Sequence, residues 1–144
     1  MKPNRGEQRA MEKQMRQGRE EKPRVDAISE ADLQESIIEL AQALGYLVMH
    51  LPDSRGQAAE GWPDLYLLPT NPPGPPLYIE LKAAKGYMTT GRMVATRDGR
   101  GRWAVGQTEW RDALLASKQR WFLLRPSDWL DGTIERILKG DDHA

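Results

Sequence analysis

Cysteine is absent from this 144-residue chain, which excludes a disulfide scaffold, a cysteine nucleophile and a thiolate zinc site, and suits a reducing cytosol. Histidine is nearly absent as well. His50 and His143 are the only two, too few for a histidine-based zinc centre and a poor basis for a Ser-His-Asp triad. No apolar run approaches the roughly 18 residues that a membrane span requires, and the first residues lack the apolar core of a signal peptide. Net charge is missing too, since 21 Lys+Arg balance 21 Asp+Glu. That balance argues against coating nucleic acid by bulk charge, although it leaves local basic patches open. The expectation is one soluble, cytoplasmic domain without membrane contact, whose chemistry rests on carboxylates, lysine or hydroxyls.

Residues 1–27 differ in texture from the rest. Eight Lys/Arg (Lys2, Arg5, Arg9, Lys13, Arg16, Arg19, Lys22, Arg24) meet five acids there, and Met11 and Met15 are its main apolar side chains. So little apolar area cannot offset the entropy of ordering, so a charged arm, frayed or a lone helix, is expected before a domain over 28–140. Ser29 followed by Asp32 resembles a capping box, and Leu33, Ile37, Leu40, Ala41 and Leu44 recur at helical spacing until Gly45. Short apolar runs at 46–51, 65–68, 77–81 and 121–124 read as strands, with helices over 107–118 and 128–138. Five of the ten prolines crowd residues 69–76, a stiff connection outside the sheet. The order α-β-β-β-α-β-α implies an α/β fold with a mixed sheet flanked by helices.

Residues 86–106 interrupt this order. Asp98-Gly99 is a tight-turn signal between Met93-Val94-Ala95 and Trp103-Ala104-Val105, so an inserted β-hairpin is expected. Arg92, Arg97, Arg100 and Arg102 make it rich in arginine. Those guanidinium groups suit a flap that grips a phosphate backbone, and they equally suit a solvated excursion kept soluble by its charge.

The chemistry centres on Pro63-Asp64 and on Glu80-Leu81-Lys82. In a strand, alternate side chains face the same side, so Tyr78, Glu80 and Lys82 project together while Leu77, Ile79 and Leu81 face the other way. Asp64 opens the neighbouring strand. If the two strands pair, Asp64, Glu80 and Lys82 converge, an arrangement suited to Mg²⁺, which takes oxygen ligands and is commonly held by one or two carboxylates plus substrate phosphate. Taken alone, Glu-x-Lys is a common surface pair. Added weight comes from polar residues on apolar helix faces: at about 100° per residue Glu30 and Gln34 share the side of Ile37, Ala41 and Leu44, and Gln107 begins the line of Trp110 and Leu114. Glu30 also suits the positive end of its helix dipole, whereas an inward Gln34 requires hydrogen-bond partners.

These stretches together resemble the VRR-NUC family of the PD-(D/E)XK nucleases, in its stand-alone phage and bacterial form. The matching segments are Ser29-Glu30-Ala31-Asp32-Leu33-Gln34 with Ile38-Glu39-Leu40-Ala41, Gly45-Tyr46-Leu47-Val48-Met49-His50, Gly61-Trp62-Pro63-Asp64-Leu65, Tyr78-Ile79-Glu80-Leu81-Lys82, Gly106-Gln107-Thr108-Glu109-Trp110 and Leu123-Leu124-Arg125-Pro126-Ser127-Asp128-Trp129. The resemblance implies a restriction-endonuclease-like fold and Mg²⁺- or Mn²⁺-dependent endonuclease action on DNA, selective for branched or junction (Holliday) structures. It implies that Asp64, Glu80 and the Leu81 carbonyl ligate the metal. Lys82 would then position the attacking water, Glu30 would bind a metal through water or complete a second site, and Gln107 would support the site. It also implies DNA contacts from the 52–60 loop with Ser54 and Arg55, joining those expected of Gln34 and the hairpin arginines, and several stand-alone members of the family act on branched DNA as homodimers. The family reaches its helix Gln soon after Glu-x-Lys and a glycine, here Gly86; this chain places the hairpin in between. The alternative function is a non-catalytic DNA-binding accessory module with a nuclease fold.

Overall fold

The Ser29 hydroxyl accepts the Asp32 N–H at 3.0 Å and starts helix α1 (Glu30–Ala43), with two acids in the first turn where the helix dipole favours them. Gly45, at φ 90°, ends it with a conformation that a side chain would disfavour. The computed structural model describes residues 4–10, 27–50 and 60–141. Ser54, Arg55 and residues 11–26 of the arm lie outside the described residues.

After α1 the chain runs through β1 (Tyr46–His50), β2 (Leu65–Pro69) and β3 (Leu77–Leu81), then the hairpin β4 (Arg92–Val94) and β5 (Arg102–Ala104). Helix α2 (Gln107–Ala116), strand β6 (Arg120–Leu124), and helices α3 (Pro126–Leu130) and α4 (Thr133–Leu138) complete it. Four strands form one mixed sheet in the order β1-β2-β3-β6. The first three pair as an antiparallel meander, and β6 lies parallel to β3. Reaching a parallel position requires a crossover, which α2 supplies. Strands β4 and β5 pair separately, with Met93 opposite Trp103 and Val94 opposite Arg102.

The strand alternation foreseen for β3 is realised. Leu77, Ile79 and Leu81 are wholly buried, with Leu65 and Leu67 of β2, against Leu33, Ile37 and Ala41 of α1 and Ile134, Ile137 and Leu138 of α4. Each of these leucines and isoleucines contributes about 1.5–3 kcal/mol by leaving water. The other sheet face carries aromatics in edge-to-face contact: Tyr66 with Tyr78, Tyr78 with Trp62, and Trp62 with Trp110 of α2.

Two helical expectations are corrected. The closing helix over 128–138 is two helices, because Gly132 takes a left-handed conformation (φ 83°) between α3 and α4, and Asp131 Oδ1 accepts the Thr133 N–H at 2.9 Å to begin the second. The helix over 107–118 stops at Ala116, where Lys118 turns left-handed at φ 59°. Among the described residues no helix is long and apolar enough to cross a membrane.

Candidate active site

Register brings the acidic residues together. Leu65 pairs with Ile79 and Tyr66 with Tyr78, so continuing the antiparallel ladder by one step sets Asp64 beside Glu80. Asp64 is tied in place by the Leu81 N–H, which donates to its Oδ2 at 2.8 Å. Glu80 is 1% exposed, the one charged side chain in the core of the described residues. Its Oε1 accepts a hydrogen bond from Gln107 Nε2 and lies 3.7 Å from the Lys82 ammonium.

Such burial has an electrostatic consequence. Desolvation, the adjacent Asp64 charge and a hydrogen bond with the Asp64 carboxyl together push Glu80 up to about 9, with Lys82 opposing and Glu30 adding a smaller push. Glu30, in the first turn of α1, is raised as well, first by burial and then by Asp64, with Lys82 again pulling down. Asp64, Glu80, Lys82 and Glu30 thus feel one another across three elements. Among the described residues, no group of three His, Asp or Glu side chains is gathered tightly enough to hold a metal ion. What converges is a carboxylate pair beside an ammonium, with Glu30 further out.

That pair fits a hard divalent cation on its own chemistry. A buried carboxylate beside a second one ionises reluctantly, which is why burial and the Asp64 charge raise Glu80. A cation offering two positive charges would offset that cost, and every donor is oxygen.

Gln107 is held from both ends. Its Oε1 accepts the Thr89 N–H at 3.0 Å, its own N–H donates to Thr89 Oγ1 at 3.1 Å, and the next amide, Thr108 N–H, donates to the Thr89 carbonyl at 3.0 Å. Thr89 therefore caps α2 in place of the missing N-cap side chain, since residue 106 is glycine. Glycine is required at that position. A Cβ on Gly106 would lie 2.4 Å from the Thr90 carbonyl carbon, and one on Gly61 (φ 84°) would lie 2.7 Å from the Gly106 carbonyl carbon. Gly106→Ala is expected to wedge the Thr89 strap off α2, lower stability by about 1–3 kcal/mol and release Gln107 from Glu80. Thermal unfolding, with amide exchange at Thr89 and Thr108, measures both effects.

The remaining expected site residues are dispersed. Gln34 is half-buried on α1, and its side chain makes no hydrogen bond among the described residues. Arg92, Arg97 and Arg100 are exposed on the hairpin and form no ion pair among the described residues, whereas Arg102 pairs with Glu60 at 3.1 Å. Ser54 and Arg55 lie outside the described residues. Leu81 is fully buried as a side chain, its backbone at the end of β3 next to Asp64.

Sequence reasoning assigned no role to Arg125. One of its guanidinium nitrogens donates to both the Ala83 and Gly86 carbonyls at 2.8 Å, and so holds the turn that follows Lys82. Its only signal in the sequence is a lone arginine at the end of an apolar strand, where an unpaired charge requires partners. Arg125→Met is expected to cost about 2–3 kcal/mol by stranding two carbonyls and to loosen the Lys82 turn. Denaturant unfolding should show the loss, and Arg125→Lys should recover only part of it. Compared with known proteins, the chain matches no family model, no curated protein and no solved structure.

Proposed function

We propose that the chain is a divalent-metal-dependent DNA endonuclease of the VRR-NUC type, with a restriction-endonuclease-like core, acting on branched DNA. The observation that carries this reading is the convergence of Asp64, buried Glu80 and Lys82 at the adjoining ends of β2 and β3. The element order supports it: a helix, a three-stranded meander, a helix, then a fourth strand parallel to the third. Asp64 and Glu80, with the Leu81 carbonyl, would hold Mg²⁺ or Mn²⁺. The cation supplies Lewis-acid stabilisation of charge on the scissile phosphate.

The chain's own groups do the rest. Gln107 fixes one oxygen of Glu80 so that the carboxylate enters the reaction already oriented. The Lys82 ammonium, 3.7 Å from Glu80, would hold a water for in-line attack and stabilise the negative charge of the transition state. Glu30, which interacts electrostatically with Asp64 and Lys82, adds negative potential to the site and would bind a metal through water. Hydrolysis would leave a 5′-phosphate and a 3′-hydroxyl, and opposed cuts at a four-way junction would take two copies related by symmetry.

The test is incubation of the purified chain with linear, nicked, flapped and four-way DNA in Mg²⁺, in Mn²⁺ and in EDTA. Cutting with either ion and none in EDTA is expected. Binding without cutting in both ions, on every substrate, would replace the nuclease by a non-catalytic accessory module.

A further inference from the structure

The inserted hairpin presents apolar and aromatic surface that the sheet does not use. Met93 and Trp103 lie directly opposite each other across β4 and β5, 61% and 55% exposed, and Tyr87, in the segment leading to the hairpin, is 88% exposed. Large side chains left this open mark a contact surface. The exposed charges of the same segment are mostly cationic: Lys85 before the hairpin and Arg97 and Arg100 at its tip, with Arg92 on the opposite face of β4 and Glu109 engaged by the Trp103 indole. The one acid of the tip, Asp98, is occupied by its own turn: its carboxylate accepts the Thr96 hydroxyl and the Arg100 N–H, which also holds it below the usual carboxylate range.

Trp103 is held in a set pose. Its indole N–H donates to Glu109 Oε2 at 3.2 Å, and the ring rests on Gly91, where an added Cβ would come within 2.4 Å of ring carbon Cζ2. A ring fixed at one edge and backed by glycine still exposes half of its surface. The platform is also tied to the acidic site. Thr89, two residues before Gly91, makes the hydrogen bonds to Gln107 that position the Glu80 partner. Tyr87 follows Lys82 by five residues, so their Cα atoms lie within about 19 Å of each other even with the chain fully stretched.

We infer that Met93 and Trp103 of the hairpin, with Tyr87 on the segment leading to it, stack unpaired bases of a nucleic-acid strand whose phosphates pair with Arg97 and Arg100 at the hairpin tip. Aromatic rings stack on bases of any sequence, while bases within a duplex are stacked already and offer only their edges and backbone. The charge around the platform selects a polyanion over an apolar peptide. This inference rests on the nuclease reading for where the scissile bond lies, and it names the substrate class: DNA with unpaired nucleotides a few positions from the cut, as at a flap or a branch point. Melting the end of a duplex to reach the platform would cost stacking energy, so a preformed single strand binds better.

The experiment is fluorescence anisotropy in EDTA with a labelled single strand and a duplex of equal length, at several salt concentrations. Trp103→Ala and Tyr87→Ala are expected to weaken single-strand binding roughly 5- to 100-fold each and duplex binding less than about twofold. Trp103→Phe restores most of the loss, and Tyr87→Ala, at a site open to solvent, leaves folding unchanged. Arg97→Ala and Arg100→Ala should weaken both ligands and flatten the salt dependence. Single-strand affinity unchanged in both aromatic variants, or equal losses on both ligands, would overturn the inference. So would a concentration-dependent dimer that Trp103→Ala dissolves while single-strand affinity holds. Cleavage in Mn²⁺ separates the two readings. DNA cut normally by both aromatic variants, with no change in single-strand binding, removes the platform and keeps the nuclease; base stacking without any cutting by the wild type removes the nuclease and keeps the platform.

Discussion

Lys82→Ala protein should cut DNA at least roughly 10³-fold more slowly than the wild type while folding and binding DNA normally. The ammonium lies 3.7 Å from Glu80, within the same mutually interacting group as Asp64 and Glu30. Its absence leaves both carboxylates in place to bind a cation, so what disappears is the held water and the stabilisation of transition-state charge. Asp64→Ala and Glu80→Ala should be equally inactive for a different reason, because they remove oxygen ligands. Measured rates with a flapped substrate distinguish the two causes. Raising Mn²⁺ should partly rescue the Asp64 variant, whose defect is affinity, and should do nothing for the Lys82 variant. Full cleavage by Lys82→Ala would refute the role assigned to that residue.

Glu80→Gln is expected to stabilise the metal-free protein above neutral pH and to remove most of its pH dependence. An unfolded Glu80 titrates near its ordinary 4.5, and the folded one near 9. Between those values the folded chain keeps a proton that the unfolded chain gives up. Stability is therefore complete below about pH 4.5 and declines as pH rises toward 9. Glu30 is displaced in the same direction and adds to the slope. An amide at position 80 keeps the shape and the acceptor for Gln107 without the charge. Its gain at pH 8 should be on the order of 1–3 kcal/mol, a rise of several degrees in Tm. Millimolar Mg²⁺ or Mn²⁺ should reverse the order, stabilising the wild type at pH 8 and leaving Glu80→Gln unmoved, because a ligand stabilises only the state that binds it. Cation binding should also displace the proton that Glu80 keeps, so apparent affinity rises with pH up to about 9. Identical pH profiles for the two proteins would contradict this electrostatic account of Glu80.

Much of the core and the central acidic pair was legible because each depends on local period. Leu77, Ile79 and Leu81 alternate with Tyr78 and Glu80, and a strand can turn only one set into the core. Ser29, Gly45 and the Asp98-Gly99 turn carry their conformations in residue type, so α1 and the hairpin fell where expected. The closing helix was misread because Trp129, Leu130, Ile134 and Leu138 keep helical spacing across the break at Gly132. Burial continues where the backbone does not.

What no local pattern carries is contact between distant backbones. Gly61, Gly91 and Gly106 are spread over some 45 positions of sequence, and their roles depend on elements that meet only after the sheet forms. Thr89 is similar, an unremarkable loop residue until α2 arrives to be capped. Arg125 carries no task legible in its local sequence, because its carbonyl partners lie some 40 residues earlier. Gln107 was suspected from helix geometry, and its Glu80 partner follows from the crossover that brings α2 over β3.

The claim on which the account stands is that Asp64 and Glu80 share one divalent cation. Electron paramagnetic resonance of free Mn²⁺, titrated into wild-type, Asp64→Asn and Glu80→Gln proteins at pH 8, measures this without reference to any substrate. Wild-type protein is expected to bind Mn²⁺, and both variants to lose that binding. Binding by both variants equal to that of the wild type, or no binding by any of the three, would contradict the claim.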